Sequence, residues 1–161
     1  MNAAISVLQV TASSVAPGQF DEGKEKTTQS KELWRKALML AMAGGAAFWI
    51  ANLAISLTPI AAEYRAGMSI SYFPMLFEAL AGGLIIGSAV SYILVRYFDR
   101  IPTSSPTLKS LILTFAALCI IEAFSIVVNL SSASAYLLIG AMINVPRFLA
   151  LGLVIGYLYK R

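Results

Sequence analysis

Residues 37–59 read ALMLAMAGGAAFWIANLAISLTP, twenty-three consecutive positions without a charged side chain. At a rise of about 1.5 Å per residue, such a run wound as an α-helix crosses the roughly 30 Å hydrocarbon core of a bilayer. A helix is also the form that satisfies every backbone amide within one segment when no water is at hand. The stretch is therefore a transmembrane helix, and it carries Ala43, Ala47 and Ala51 four residues apart, a stripe of small side chains against which another helix can lie. Pro59 marks its expected end.

Moving outward, three more runs of the same kind are expected at about 74–98, 107–130 and 135–159. Pro74 and Pro106 suit first turns of helices, with Ser105 as a cap for the second of them. The linker 60–73, with Glu63, Arg65, Gly67 and tyrosines 64 and 72, reads as a loop with interfacial aromatics. Residues 131–134 read as a tight uncharged turn, and 99–109 as a polar connection. A different division would make 123–145 one span and leave 107–121 as an interfacial or re-entrant piece, but Asn129 and its neighbouring serines would then fall at mid-helix.

Before the first span, the mixed charges of 21–36 fall at helical spacings, with Glu32 four residues ahead of Lys36, and suit an interfacial helix running into the membrane with Trp34 at the headgroups. Residues 1–20 contain no basic side chain and no helix-long apolar run, so a secretory signal is not expected there and the segment reads as a mobile tail. The expected organisation is an N-terminal tail, 1–36, followed by an all-α four-transmembrane-helix domain, 37–161. The whole chain agrees in composition: of 161 residues 58% are hydrophobic and only 12% charged, too few charges to cover a water-soluble domain of this size.

Composition also bounds chemistry. There is no histidine and a single Cys119, so the chain offers no internal disulfide, no usual zinc cluster, no haem ligand pair and no Ser-His-Asp or Cys-His constellation. No cofactor is expected. The net charge of +4 is dispersed over helix ends, which membrane orientation explains better than nucleic acid does. Lys24, Lys26, Lys31, Arg35, Lys36, Arg96, Arg100, Lys109, Lys160 and Arg161 fall on one side and Arg65 alone on the other, so both termini are expected in the cytoplasm, with the chain in a prokaryotic cytoplasmic membrane.

Laying 78–87 (EALAGGLIIG) over 147–156 (RFLALGLVIG) matches six of ten positions at a shift of 69 residues. Two readings stay open: a duplication in which spans one and two recur in parallel as three and four, or the chance likeness of apolar helices built from few residue types. Spans one and three show no comparable match. Both segments contain G-x-x-x-G, as Gly83 with Gly87 and Gly152 with Gly156, a pattern for close helix packing within a bundle first and a dimer seam second.

Three ionisable residues fall inside the spans, Glu78, Glu122 and Arg147. A charge at mid-bilayer costs about 2.5–3.5 kcal/mol on insertion scales, so such residues face protein or water and find partners. Glu78 lies a turn below the outer surface, within reach of the interface by snorkelling, whereas Glu122 and Arg147 lie roughly 12–18 Å from the outer ends of their helices. An ion pair between those two is expected, since their helices are neighbours in sequence. Asn52 and Ser56 on span one, Ser125 and Asn129 beside Glu122, and Asn144 beside Arg147 sketch a polar pocket in the outer half. Pro146 would free the carbonyl of Met142 as a further acceptor there.

Three functions compete. The first is a non-catalytic membrane component or accessory subunit, whose polar residues hold helices together at about 0.6 kcal/mol apiece. The second is a small homo-oligomeric carrier or channel for an ion or polar solute, using the pocket around Glu122 and Arg147. The third, a lipid-modifying enzyme, lacks a recognisable nucleophile or metal cluster. The partners expected are the lipid bilayer and either a second copy or a larger membrane complex.

Overall fold

The computed structural model describes residues 19–128 and 134–161. They form five α-helices and one short 3-10 turn: α1 (Gln19–Ser56), α2 (Pro59–Gly67), α3 (Tyr72–Arg96), η1 (Phe98–Arg100), α4 (Pro106–Val128) and α5 (Ser134–Lys160). Four stretches are long and apolar enough to cross a membrane, Thr27–Ser56, Tyr72–Arg96, Pro106–Val128 and Leu138–Lys160. The tail at 1–18, Asn129 and the expected turn at 131–133 lie outside the described residues. The chain divides between residues 33 and 34 into two compact units. In the first, 19–33 are helical; the second holds everything that follows.

Two boundaries differ from the sequence reading for one reason. Pro59 does not end the first span; the helix stops at Ser56 and Pro59 opens α2, inside the linker expected to be a loop. Thr58 is the N-cap: its backbone is extended and its side chain accepts the amide of Ala61. A cap residue followed directly by proline is a helix start, because proline's missing N–H would be unsatisfied there in any case. At the other end Ser69 takes φ 53°, with Ser69 N donating to Ala66 O and Ile70 N to Arg65 O. This pair of bonds satisfies the last carbonyls of α2 and turns the chain back into α3. Pro106 does open α4, and the Ser105 carbonyl takes the first helical bond, from Lys109 N, as the N-cap position requires.

Packing runs through glycine. The buried side of α1 is Ala37, Leu40, Ala41, Gly44, Gly45, Phe48, Asn52 and Ser56, a stripe at three- and four-residue spacing. The alanines at 43, 47 and 51 only flank it, half-buried. A Cβ on Gly87 would sit 2.9 Å from Ala41 O, and one on Gly83 3.2 Å from Gly45 O, so α1 and α3 touch backbone to backbone. On α5, a Cβ on Gly152 would meet Thr114 Oγ1 at 2.5 Å, and one on Gly156 would run into Thr107 and Ser110 of α4. Gly44 accepts Ile155, and the Phe48 and Phe148 rings meet edge to face at 5.5 Å, which seats α5 on α1. Leu40, Leu94, Leu151 and Ile155 are fully buried among these contacts.

Candidate functional site

Beside α2, a cavity of about 180 Å³ is lined by Ser56, Ala61, Tyr64, Arg65, Ile70, Met75, Glu78, Gly140, Ile143, Asn144 and Arg147. Four helices contribute. Ser56 comes from the last turn of α1, one end of α2 supplies Arg65 with its cation at the helix C-terminus, where the dipole favours it, α3 brings Met75 and Glu78 from its first two turns, and α5 brings one face at 140, 143, 144 and 147.

Arg65 is held in place from two sides. Its Nη1 donates to the Ser56 carbonyl at 3.0 Å and its guanidinium lies 5.2 Å from the centre of the Tyr72 ring. Tyr72 Oη and Ser56 Oγ are 3.4 Å apart, and Ser56 Oγ donates to Leu53 O. On the opposite wall a relay crosses from α4 to α5: Asn144 Nδ2 donates to Glu122 Oε1 at 2.7 Å, and Asn144 Oδ1 accepts from Arg147 Nη1 at 3.0 Å. The link expected as a Glu122–Arg147 ion pair thus runs through Asn144. Such bonds to charged groups are about twice as strong as neutral ones, so the amide is fixed in one orientation. Arg147 Nε is buried without a hydrogen bond among the described residues. The Tyr64 hydroxyl lies against Gly140, where an added Cβ would come within 3.0 Å. Burial pushes the Tyr64 phenol above its ordinary pKa of 10.0, while Arg147 pulls it down and Glu122 raises it, so both charges are felt at this wall.

Of the residues singled out in sequence, Ser56, Glu78, Asn144 and Arg147 line the cavity, and Glu122 is tied to it through Asn144. Ser125 is half-buried on α4. Asn52 is 0% exposed, and neither of its amide atoms has a hydrogen bond among the described residues. Since α1 and α5 run antiparallel through the Phe48–Phe148 contact, one turn onward brings Asn52 level with Asn144 and the next brings Ser56 level with Gly140. Asn52 does not line the cavity. Glu78 is exposed. Pro146 lies inside α5, and both it and Met142 are exposed on the side away from 140, 143, 144 and 147. Arg65, Tyr64 and Ile70 are not read as site residues from the sequence, where they fall in an expected loop, although the Thr58–Pro59 start signal precedes them.

The region around η1 holds its charges differently. Lys109 is 4% exposed; its Nζ donates to Phe98 O and stands 3.6 Å from the Phe98 ring centre. Phe98 stacks on Tyr159 at 4.7 Å, and Lys36 Nζ caps the far side of Tyr159 at 4.1 Å. Thr114 gives its hydroxyl to the carbonyls of Ser110 and Leu111. Among the described residues no group of three or more His, Cys, Asp or Glu could hold a metal ion. Compared with known proteins, the chain matches no family model, no characterised protein and no solved structure.

Proposed function

We propose that the chain is a non-catalytic membrane carrier for a small polar solute, built as a four-helix bundle of two parallel repeats, α1 with α3 and α4 with α5, around the cavity at the α2 end. The observation that carries this reading is that the cavity is lined by equivalent residues of the two halves. The shift of 69 residues puts Met75 on Asn144 and Glu78 on Arg147, and all four line it. The same shift puts Ala41 on Ser110 and Gly45 on Thr114. In one half Gly87 packs on Ala41 and Gly83 on Phe48 and Gly45; in the other Gly156 packs on Thr107 and Ser110 and Gly152 on Thr114, so Ala41 with Ser110 and Gly45 with Thr114 correspond while the Phe48 and Thr107 contacts do not. Chance likeness between α3 and α5 alone gives no reason for their partners on α1 and α4 to correspond as well. Solute sites of repeat-built carriers lie where the repeats meet. α2 has no counterpart in the second half, where five residues separate α4 from α5, so it serves as a cover over one mouth of the cavity.

Orientation follows from the basic residues: those at the η1 end support a cytoplasmic η1 end and a cavity facing the opposite side. The reading is tested by reconstituting the purified chain in liposomes and measuring uptake of labelled small metabolites. Uptake that falls with Arg147→Gln supports it. A folded chain that moves none of them returns the account to an accessory subunit.

A second observation bears on assembly. Only 11% of the most apolar stretch of α4 is buried, against 33% for α1 and for α3. Ile112, Phe115, Ile120, Phe124 and Val127 stand exposed on it. Four spans enclose a full pathway with difficulty, so this face supports a homo-oligomer with α4 at the seam; cross-linking between cysteines placed at Phe115 tests it.

A further inference from the structure

We infer that the solute is a small zwitterion of the amino-acid type, its carboxylate received by Arg65 and Arg147 and its ammonium by Glu78; the inference rests on the carrier reading above. A guanidinium has five N–H donors in a planar fork that matches a carboxylate. Arg65 spends one on the Ser56 carbonyl and Arg147 one on Asn144, so each keeps donors for a ligand while being held in position. Glu78 lines the same cavity and makes no hydrogen bond or ion pair among the described residues. Glu78 and Arg147 occupy equivalent places on α3 and α5, so opposite charges approach the cavity from two sides.

Charge balance separates a zwitterion from its two halves. Arg65 and Arg147 carry two positive charges, and Glu78 together with Glu122, bound through Asn144, carries two negative ones. The constellation is neutral, and a ligand of net charge would leave an uncompensated ion among apolar helices, which is the costly case. A neutral molecule with separated charges pairs with both signs and leaves the balance at zero. Size is compatible with the class: a cavity of about 180 Å³ takes a single small molecule. Ile70, Met75 and Ile143 give the side chain of such a molecule an apolar wall.

The test is the unfolding midpoint of the full chain in detergent, titrated with glycine, L-alanine and L-serine, with acetate and methylammonium as the separate halves, and with sorbitol as an uncharged control. At least one zwitterion is expected to raise the midpoint saturably by about 3 °C or more, and acetate and methylammonium by less than about a third of that. In Glu78→Gln, an exposed position at which folding should survive, the preference for the zwitterion over acetate should fall at least about tenfold; Arg65→Gln should remove the response to both. If acetate matches the zwitterions in the wild type, or Glu78→Gln keeps the preference, the inference is overturned while the carrier reading stands. A shift by sorbitol or methylammonium alone overturns it in the same way. If nothing shifts the midpoint and the liposomes take up no solute, both fail together.

Discussion

The region around η1 and the region around α2 handle charge in opposite ways. At the η1 end two cations are held within the fold, Lys109 on the carbonyl and ring of Phe98 and Lys36 on Tyr159, with the two rings stacked on each other. Helices α4 and α5 touch there through Gly152 and Gly156. At the α2 end Arg65, Arg147 and Glu78 surround a space instead of one another. The lesson is one of geometry. Small residues at 152 and 156 bring the α4 and α5 backbones close together, whereas at 140–147 the same helix lines the cavity together with α2.

The contrast can be broken most severely at Gly156. Gly156→Val should cost about 3 kcal/mol or prevent folding, because its Cβ meets the Thr107 backbone, which cannot give way. Gly82→Val, with nothing within 4 Å, should leave the unfolding midpoint in detergent unchanged. Next, Phe98→Ala should lower stability by about 2 kcal/mol, since it removes one ring stack and one cation contact and leaves Lys109 with only a carbonyl. The same unfolding measurement checks it; a neutral outcome would mean that the stack does not hold the η1 end.

The α2 end should respond less in stability and more in binding. Asn144→Ala breaks the relay and should cost about 1.5–3 kcal/mol, the range for hydrogen bonds to charged groups, and Asn144→Asp should not rescue it, because a third carboxylate would face Glu122. Asn52→Leu is expected to stabilise by about 1 kcal/mol, replacing an amide with no hydrogen bond by an apolar group of similar size. A loss there would show that water or solute reaches Asn52 from the cavity. The smallest effect expected is a gain of about 0.5–1 kcal/mol for Ser69→Gly, which relieves a left-handed backbone at the end of α2.

The four long helices were legible in sequence because stretches of more than twenty mostly apolar residues with at most two charges, and none in the first, are long and apolar enough to cross a bilayer. What escaped was α2. Its nine residues carry Glu63 and Arg65, and short polar helices look like loops unless the cap and proline at Thr58 and Pro59 are given weight. With α2 went Arg65 and Tyr64, so part of the cavity wall was missing from the pocket drawn through Asn52, Ser56, Glu122, Ser125, Asn129, Asn144 and Arg147. The choice of face on α1 also needed the partner helices. Ala43, Ala47 and Ala51 form as regular a stripe as Ala41, Gly45 and Phe48, and only the positions of Gly83 and Gly87 decide between them. The Glu122–Arg147 link was right in its two ends and missed the middle, because an asparagine three residues before an arginine lies on the same face and reaches the carboxylate first.

The central claim is that water and solute enter the α2 end and not the η1 end. Single cysteines at Met75, on the cavity wall, and at Ser110, fully buried in the α4–α5 seam, would be introduced with Cys119→Ala and treated with a membrane-impermeant thiol reagent. The Met75→Cys protein should react at least about tenfold faster than the Ser110→Cys protein, since modification follows access to the thiol. Equal rates at the two positions, or no reaction at Met75→Cys, would contradict it.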